Sequence, residues 1–298
     1  MERILIDTDP GLGKKGADVD DGLALFLIFN NPEVFKVEAI TSVFGNTRVK
    51  KGFELLKRYL DLFDKKDIPY AMGAKSSRDL GKITQATELL MNLVKENPGE
   101  ITLFILGPLT NIATTLEHYP ALLDDLKEII FMGGTLEPHN LVHIRDPFSK
   151  TEFNFFSDAE ATKKFLETET KTEKIGMGLD ICMQVFFEDK HLDMLKSVDK
   201  PIQNFISEHT EYWLELWKRK NNRGFYPFDV FVPMYKLEPK FFEIKEFYVK
   251  VDVSEISGRL FYSETPKREH VKVKYAVDFT EEKNKEEFMN RLIQDLSK

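Results

Sequence analysis

The chain has 298 residues, of which 42% are hydrophobic, so it is long enough to bury a large core. Its net charge of -8, from 42 basic and 50 acidic residues, argues against binding nucleic acid as the main function. The single cysteine, Cys182, excludes a disulfide framework and a thiolate metal cluster. No linker rich in Pro, Gly or Ser divides the chain, so we expect one domain over residues 1–298.

The first predicted element is a short buried strand at residues 4–6, because it is continuously apolar. It leads into five aspartates within fifteen residues: Asp7, Asp9, Asp18, Asp20 and Asp21. Like charges this close repel one another unless a cation neutralises them, which predicts a metal site. The alternative is that these side chains only cap a buried helix over residues 22–29 and line a turn.

Further apolar runs, each followed by a longer amphipathic stretch, predict strands at residues 37–43, 101–106, 128–132 and 174–177. This alternation is typical of an α/β fold with an open, mostly parallel central sheet and helices on both faces, with a Rossmann-like core. Several of the strands end in loops of small or polar residues, and ligands bind at that edge of such sheets.

The remaining chain is predicted to form a long helix over residues 201–220, a short helix after Asp229, strands at 241–253 and 271–277, and a closing helix at 281–296. There is no run of eighteen apolar residues and no leader-like beginning, which predicts a soluble cytoplasmic protein without membrane contact.

Four segments resemble the inosine-uridine-preferring nucleoside hydrolases, which are calcium-dependent N-ribohydrolases. They are DTDPG at residues 7–11 with Asp20 and Asp21, ILGPLTNIA at 105–113, IIFMGG and TEFNFFSDAEA within 129–161, and FDVFVPMYKLEP at 228–239. Their order and approximate spacing cover most of the chain. The resemblance implies hydrolysis of ribonucleosides to free base and ribose, in nucleoside salvage, by a homodimer or homotetramer.

The resemblance also implies a Ca²⁺ site made of Asp9, Asp21, Asp229 and the backbone carbonyl of Leu106. Oxygen ligands rich in carboxylate are what this hard cation prefers. Asp9 would also be the general base that activates a calcium-bound water. The loop over residues 12–19 is longer than in the family, so Asp18 competes with Asp20 for one place in the register.

The ribose contacts implied by the resemblance are Asp20, Asn46, Glu152, Asn154 and Asp229. The family asparagine that precedes TEFN falls at Asp146 or, with a gap, at Asn140. For Asn46 the alternative is a turn residue after glycine, which is its commonest use.

Phe228 stands where the family usually has a histidine near the departing base, and a phenyl ring cannot donate a proton. It could instead stack on the base, and Tyr226 is the best single candidate for another base contact. Trp213 and Trp217 also belong to the segment that flanks the base pocket in the family, although their spacing is more typical of core packing.

Three hypotheses follow for the function. The first is a calcium-dependent nucleoside hydrolase. The second is a nucleoside-binding or ribose-binding protein that kept the metal site but lost turnover, which Phe228 motivates. The third is a phosphohydrolase with an aspartate nucleophile, because such enzymes also carry a DxD loop after a strand; proline after Asp9 fits it poorly.

Overall fold

The computed structural model describes residues 1–137, 151–255 and 257–298, and nine strands within these ranges form one sheet. The strands are β1 (Glu2–Thr8), β2 (Phe35–Ser42), β3 (Tyr70–Met72), β4 (Thr102–Ile105), β5 (Glu128–Met132), β6 (Lys174–Met177), β7 (Phe242–Asp252), β8 (Arg259–Ser263) and β9 (Val271–Phe279). Their order is β3-β2-β1-β4-β5-β6-β9-β7-β8. The first seven strands of this order, which end with β9, pair in parallel. β7 pairs antiparallel with β9 on one side and with β8 on the other.

The α-helices in the described ranges lie on both faces of this sheet. They are α1 (Asp20–Phe29), α2 (Val49–Leu62), α3 (Gln85–Glu96), α4 (Thr110–His118), α5 (Phe153–Ser157), α6 (Ala159–Glu167), α7 (Leu179–Cys182), α8 (Asp189–Lys196), α9 (Pro201–Asn221), α10 (Phe231–Leu237) and α11 (Lys283–Leu296). Successive residues of a strand face opposite sides, so Ile4 and Ile6 pack with α1, α2 and α8 to α11, whereas Leu5 packs with α3, α4 and α6. The predicted α/β architecture is confirmed.

Two strands were not predicted. β3 and β8 lie at the two edges of the sheet, and they are three and five residues long. Each buries only one side chain, Ala71 in β3 and Leu260 in β8. No helix in the described part of the chain has both the length and the apolar character that crossing a bilayer requires.

β1 occupies the position that decides where a ligand can bind. It lies between β2 and β4, so the chain winds from β1 toward one edge of the sheet and then returns to continue toward the other. At such a reversal the loops that follow the neighbouring strands separate and leave a crevice beyond their carboxyl ends. The residues that follow β1, β2 and β4 therefore meet in one place.

Candidate active site

Three buried carboxylates converge at this crevice. Asp20 and Asp21 lie in the first turn of α1, and Asp229 lies in the 3-10 turn Phe228–Val230. One carboxylate oxygen from each lies within 4.8 Å of the others, and the backbone N–H of Asp229 donates to Oδ2 of Asp20 at 3.3 Å. Burial, and then repulsion by the neighbouring carboxylates, raises the pKa of Asp20 and of Asp229 well above its usual range. A divalent cation would remove this cost, and an all-oxygen donor set fits a hard cation.

Asp21 is the most firmly held member of the cluster. Its Oδ1 accepts hydrogen bonds from the Thr8 hydroxyl at 2.5 Å and the Asp9 backbone N–H at 3.1 Å, and its Oδ2 accepts one from the Asn46 amide at 2.9 Å. Burial nevertheless raises its pKa. Because β1, α1 and the loop after β2 all contribute to these contacts, the orientation of the carboxylate is fixed by the fold.

Asp9 follows β1 directly and has no exposed surface. The backbone N–H of Asn46 donates to its Oδ2 at 2.5 Å. A Cβ atom at Gly45 would lie 2.0 Å from Oδ2, and one at Gly107 would lie 2.7 Å from Oδ1. The carboxylate therefore fits only because both loops carry glycine where they touch it. Its charge contributes to the raised pKa of Asp229, so it belongs to the same electrostatic cluster.

Asp7 supports the site from behind. Its Oδ1 accepts hydrogen bonds from the Thr41 hydroxyl at 2.5 Å and from the Asn111 amide at 2.8 Å, and burial raises its pKa to about 7. Asn111 also donates to the Ser42 carbonyl at 3.1 Å and accepts from the Ala74 N–H at 2.9 Å. The sequence pattern did not assign Asn111 a role, and the structure places it in the first turn of α4.

Glu152 and Asn154 approach from the other side of the crevice. The Asn154 amide donates to the Leu106 carbonyl at 2.8 Å, which places the predicted ribose contact beside the predicted metal ligand. Glu152 is the N-cap of α5 and accepts from the backbone N–H groups of Gly134 at 3.1 Å and Phe155 at 3.0 Å. Burial raises the pKa of its carboxyl group to about 7 despite these bonds.

The long loop over residues 12–19 brings one further carboxylate to the site. Asp18 accepts from the backbone N–H of Val19 at 2.7 Å and of Asp20 at 3.4 Å, and its carboxyl group is hydrogen-bonded to that of Asp20. The N-cap of α1 is Val19, so Asp20 and Asp21 are not its capping residues. Asp18 therefore lies beside Asp20.

A cavity opens above the cluster and brings together most of the predicted site. Its described lining residues are Asp18, Asp20, Asn46, Leu106, Met132, Glu152, Phe153, Asn154, Leu179, Trp213, Trp217, Phe228 and Asp229. Asp9 and Asp21 lie beneath this surface and are fully buried. Met132, Phe153 and Leu179 were not expected, because an apolar residue in a sequence carries no sign that it faces a ligand. Asp146 and Asn140 lie outside the described residues.

The aromatic side of the cavity comes from α9 and the turn before α10. The rings of Trp213 and Trp217 are 6.4 Å apart, and their indole N–H groups are buried without a hydrogen-bond partner in the described ranges. Both tryptophans belong to the hydrophobic core and also line the cavity, so the two interpretations of their spacing are compatible. Tyr226 does not line it; its ring packs against those of Trp217 and Phe228, with centroids 5.5 and 5.6 Å apart.

Comparison with known proteins assigns this architecture to a family. A family model described as inosine-uridine preferring nucleoside hydrolase matches residues 4–288. A probable uridine nucleosidase of Oryza sativa is 24% identical over 284 residues, covering 86% of this chain and 82% of the relative. A pyrimidine-specific ribonucleoside hydrolase of Salmonella arizonae is 27% identical over 240 residues, covering 72% of each chain.

The fold is shared with solved structures. A plant nucleoside hydrolase superposes with a TM-score of 0.85 at 23% identity, covering 99% of both chains. A purine-preferring ribonucleoside hydrolase from Gardnerella vaginalis gives 0.83 at 19% identity, again covering 99% of both chains. Because the family model spans nearly the whole chain, the protein is an enzyme of the inosine-uridine preferring nucleoside hydrolase family.

Proposed function

We propose that this enzyme binds a ribonucleoside in the cavity and hydrolyses its N-glycosidic bond with the help of Ca²⁺. The observation that carries the proposal is the group of three buried carboxylates at the carboxyl end of β1, directly beneath a cavity with polar and aromatic sides. Among the three hypotheses drawn from the sequence, family membership favours nucleoside hydrolysis over a phosphohydrolase or a binding protein without turnover.

The residues that would hold the cation are Asp9, Asp21, Asp229 and the Leu106 carbonyl, and Asp20 lies close enough to Asp21 and Asp229 to neighbour it. When bound, a divalent cation would lower the pKa of the attacking water and offset the repulsion between the carboxylates. This placement accounts for the burial of so many acids in one place, since buried charges require a partner of opposite charge.

Asp9 is the proposed general base. It would accept the proton of the water that attacks the anomeric carbon, while Gly45 and Gly107 confine its carboxylate to one position. A fixed base avoids reorganisation during the reaction, which is a main source of catalytic power. The transition state of such a displacement resembles an oxocarbenium ion, so nearby carboxylates would also stabilise its developing positive charge.

The ribose would be held by Asp20, Asn46, Glu152, Asn154 and Asp229, with Asp146 as a further predicted contact. Five of these residues line the cavity, and they enter it from four separate segments of the chain. Polar groups that converge in this way can fix several hydroxyls of a small sugar at once.

The base would lie against Trp213, Trp217 and Phe228, which form the aromatic side of the cavity. Tyr226 would then support the ring of Phe228 from behind, which is an indirect form of the predicted base contact. The relatives differ in the base named in their descriptions, so they do not select one for this enzyme.

The test uses p-nitrophenyl riboside, whose leaving group needs little protonation. Purified enzyme should hydrolyse it only with Ca²⁺ present, and Asp9→Asn should lower kcat by about a thousandfold, within the usual contribution of a general base. Calorimetric Ca²⁺ titration gives a second readout, in which Asp229→Asn weakens binding. The control Asp67→Asn removes an exposed carboxylate and should change neither quantity. Full activity in chelator, or in Asp9→Asn, would overturn the mechanism.

A homodimer or homotetramer in the cytoplasm, acting in nucleoside salvage, remains part of the proposal. Its support is the family resemblance, and light scattering on the purified protein measures the oligomeric state directly.

A further inference from the structure

The polar side chains that line the cavity are mostly acidic. Carboxylates line it at Asp18, Asp20, Glu152 and Asp229, and two more lie beneath it at Asp9 and Asp21. None of the described residues that line it is lysine, arginine or histidine. A lining that holds several carboxyl groups and, among the described residues, no basic side chain favours a substrate that is itself cationic.

Asp18 is the carboxylate that no part of the proposed mechanism uses. The loop that carries it packs along α9: a Cβ at Gly13 would lie 3.3 Å from Phe205, and one at Gly16 would lie 3.8 Å from Tyr212. This packing holds the loop against α9, and Asp18 and Trp213 both line the cavity. The longer loop thus adds a carboxyl group to the lining.

The aromatic side of the cavity is also suited to a positively charged ligand. Indole and phenyl faces attract cations through their quadrupoles, and aromatic cages are a common way to bind a positively charged organic ligand. Two basic side chains of the neighbouring segments make contacts outside this cavity. Arg223 pairs with Glu188 at 2.7 Å and stacks on Phe186 at 4.0 Å, and Lys15 lies 4.7 Å from the ring of exposed Tyr212.

The chemistry of the leaving group also favours a cationic nucleobase. A neutral base must gain a proton as it departs, whereas Phe228 replaces the histidine expected there and cannot supply one. A base that is already a cation at its ring nitrogen needs no proton. When its bond to the anomeric carbon breaks, the electron pair moves to that nitrogen and the base leaves as a neutral molecule.

We propose that this cavity is built for ribonucleosides with a cationic base, of which an N-ribosylpyridinium is the simplest example. The inference rests on the proposed hydrolase function and names its substrate class. In the balanced reaction, water adds its oxygen to the anomeric carbon and gives one proton to Asp9. The pyridinium takes the bonding pair, so the products are a neutral pyridine, ribose and that proton.

The test compares three substrates with different leaving groups. Nicotinamide riboside is cationic and needs no proton, p-nitrophenyl riboside is neutral and needs little, and inosine is neutral and needs one. We expect kcat/KM for nicotinamide riboside to exceed that for inosine by at least about tenfold, because a missing general acid costs on the order of a hundredfold or more for a neutral base. Equal or better hydrolysis of inosine would overturn the inference while leaving the hydrolase function intact. No hydrolysis of any of the three would instead contradict the proposed function.

The variant Asp18→Asn separates charge recognition from proton donation. We expect kcat/KM for nicotinamide riboside to fall about tenfold more than kcat/KM for p-nitrophenyl riboside, which is the size of a partly desolvated cation contact. If Asp18 were a proton donor, the loss would fall on inosine and not on nicotinamide riboside, and the inference would be wrong. Asp67→Asn is the matched control, and unchanged circular dichroism would show that the Asp18→Asn variant folds. An equal loss for all three substrates would also count against recognition of charge.

Discussion

Because Gly45 touches the carboxylate of Asp9, a substitution at Gly45 can displace this proposed general base without changing any reacting group. In Gly45→Ala the new Cβ would lie 2.0 Å from Oδ2 and 2.7 Å from Cγ of Asp9. Cβ atoms essentially never approach other heavy atoms closer than 3.0 Å, so either the carboxylate or the loop must move by about 1 Å. Retreat of the carboxylate is limited, because Gly107 touches its other oxygen.

A displacement of about 1 Å at a catalytic group typically costs about a hundredfold in rate. We therefore expect Gly45→Ala to lower kcat for p-nitrophenyl riboside by about a hundredfold at saturating Ca²⁺. Overpacking of this kind should also destabilise the protein by about 1 to 3 kcal/mol, measured by urea unfolding.

Gly99→Ala is the control for the substitution itself. Gly99 has a φ of +76°, and a Cβ there would meet nothing within 4 Å. Alanine at that backbone conformation should cost about 1 kcal/mol of stability and leave kcat unchanged. If Gly45→Ala keeps kcat within threefold of the parent enzyme, the confinement of Asp9 is not important for the reaction.

Two further predictions concern stability. At Ca²⁺ a hundredfold above its Kd, the free energy of unfolding should rise by about 2.7 kcal/mol, and the gain should vanish in Asp229→Asn but not in Asp67→Asn; an unchanged urea midpoint would speak against a cation at this cluster. Burial lowers the pKa of His191 to about 4, and its Nδ1 accepts from the Glu188 N–H, so the unfolded chain takes up the proton first as pH falls below about 6.5. The free energy of unfolding of the parent protein should therefore decrease, relative to that of His191→Gln, by about 1 to 2 kcal/mol from about pH 7.5 to about pH 5. If the free energy of unfolding depends on pH equally in the two proteins, this prediction is wrong.

The fold was predictable where a buried strand leaves a strong signal. Residues 4–6 are continuously apolar because β1 is covered on both faces, and the strands β5 and β6 have the bounds that were expected. The edge strand β8 was missed because it is five residues long and buries only Leu260, so its aromatic residues do not alternate between a buried and a polar face. Predicting an edge strand therefore requires knowing which strand it pairs with, and a local sequence pattern does not contain that information.

The candidate site was predictable only in part, because several of its contacts join residues that are distant in sequence. The resemblance named Asp9, Asn46 and Asp229, whereas the support that Asn111 gives to Asp7 depends on contacts 104 residues apart in the chain. The position of Asp18 depends on how a longer loop packs against α9, and no local spacing encodes that packing. Tyr226 was proposed from its distance along the chain to Phe228, yet its ring lies behind that of Phe228.

The three clustered carboxylates come from parts of the chain that are synthesised far apart in time. Asp20 and Asp21 are synthesised early, but Asp229 must be folded against them across 209 residues before the third carboxylate is present. A nascent chain that ends before α9 would hold only part of the ligand set, and it would bind Ca²⁺ weakly. Binding of the proposed ion would therefore stabilise only the completed fold, by closing a loop of 209 residues between Asp20 and Asp229.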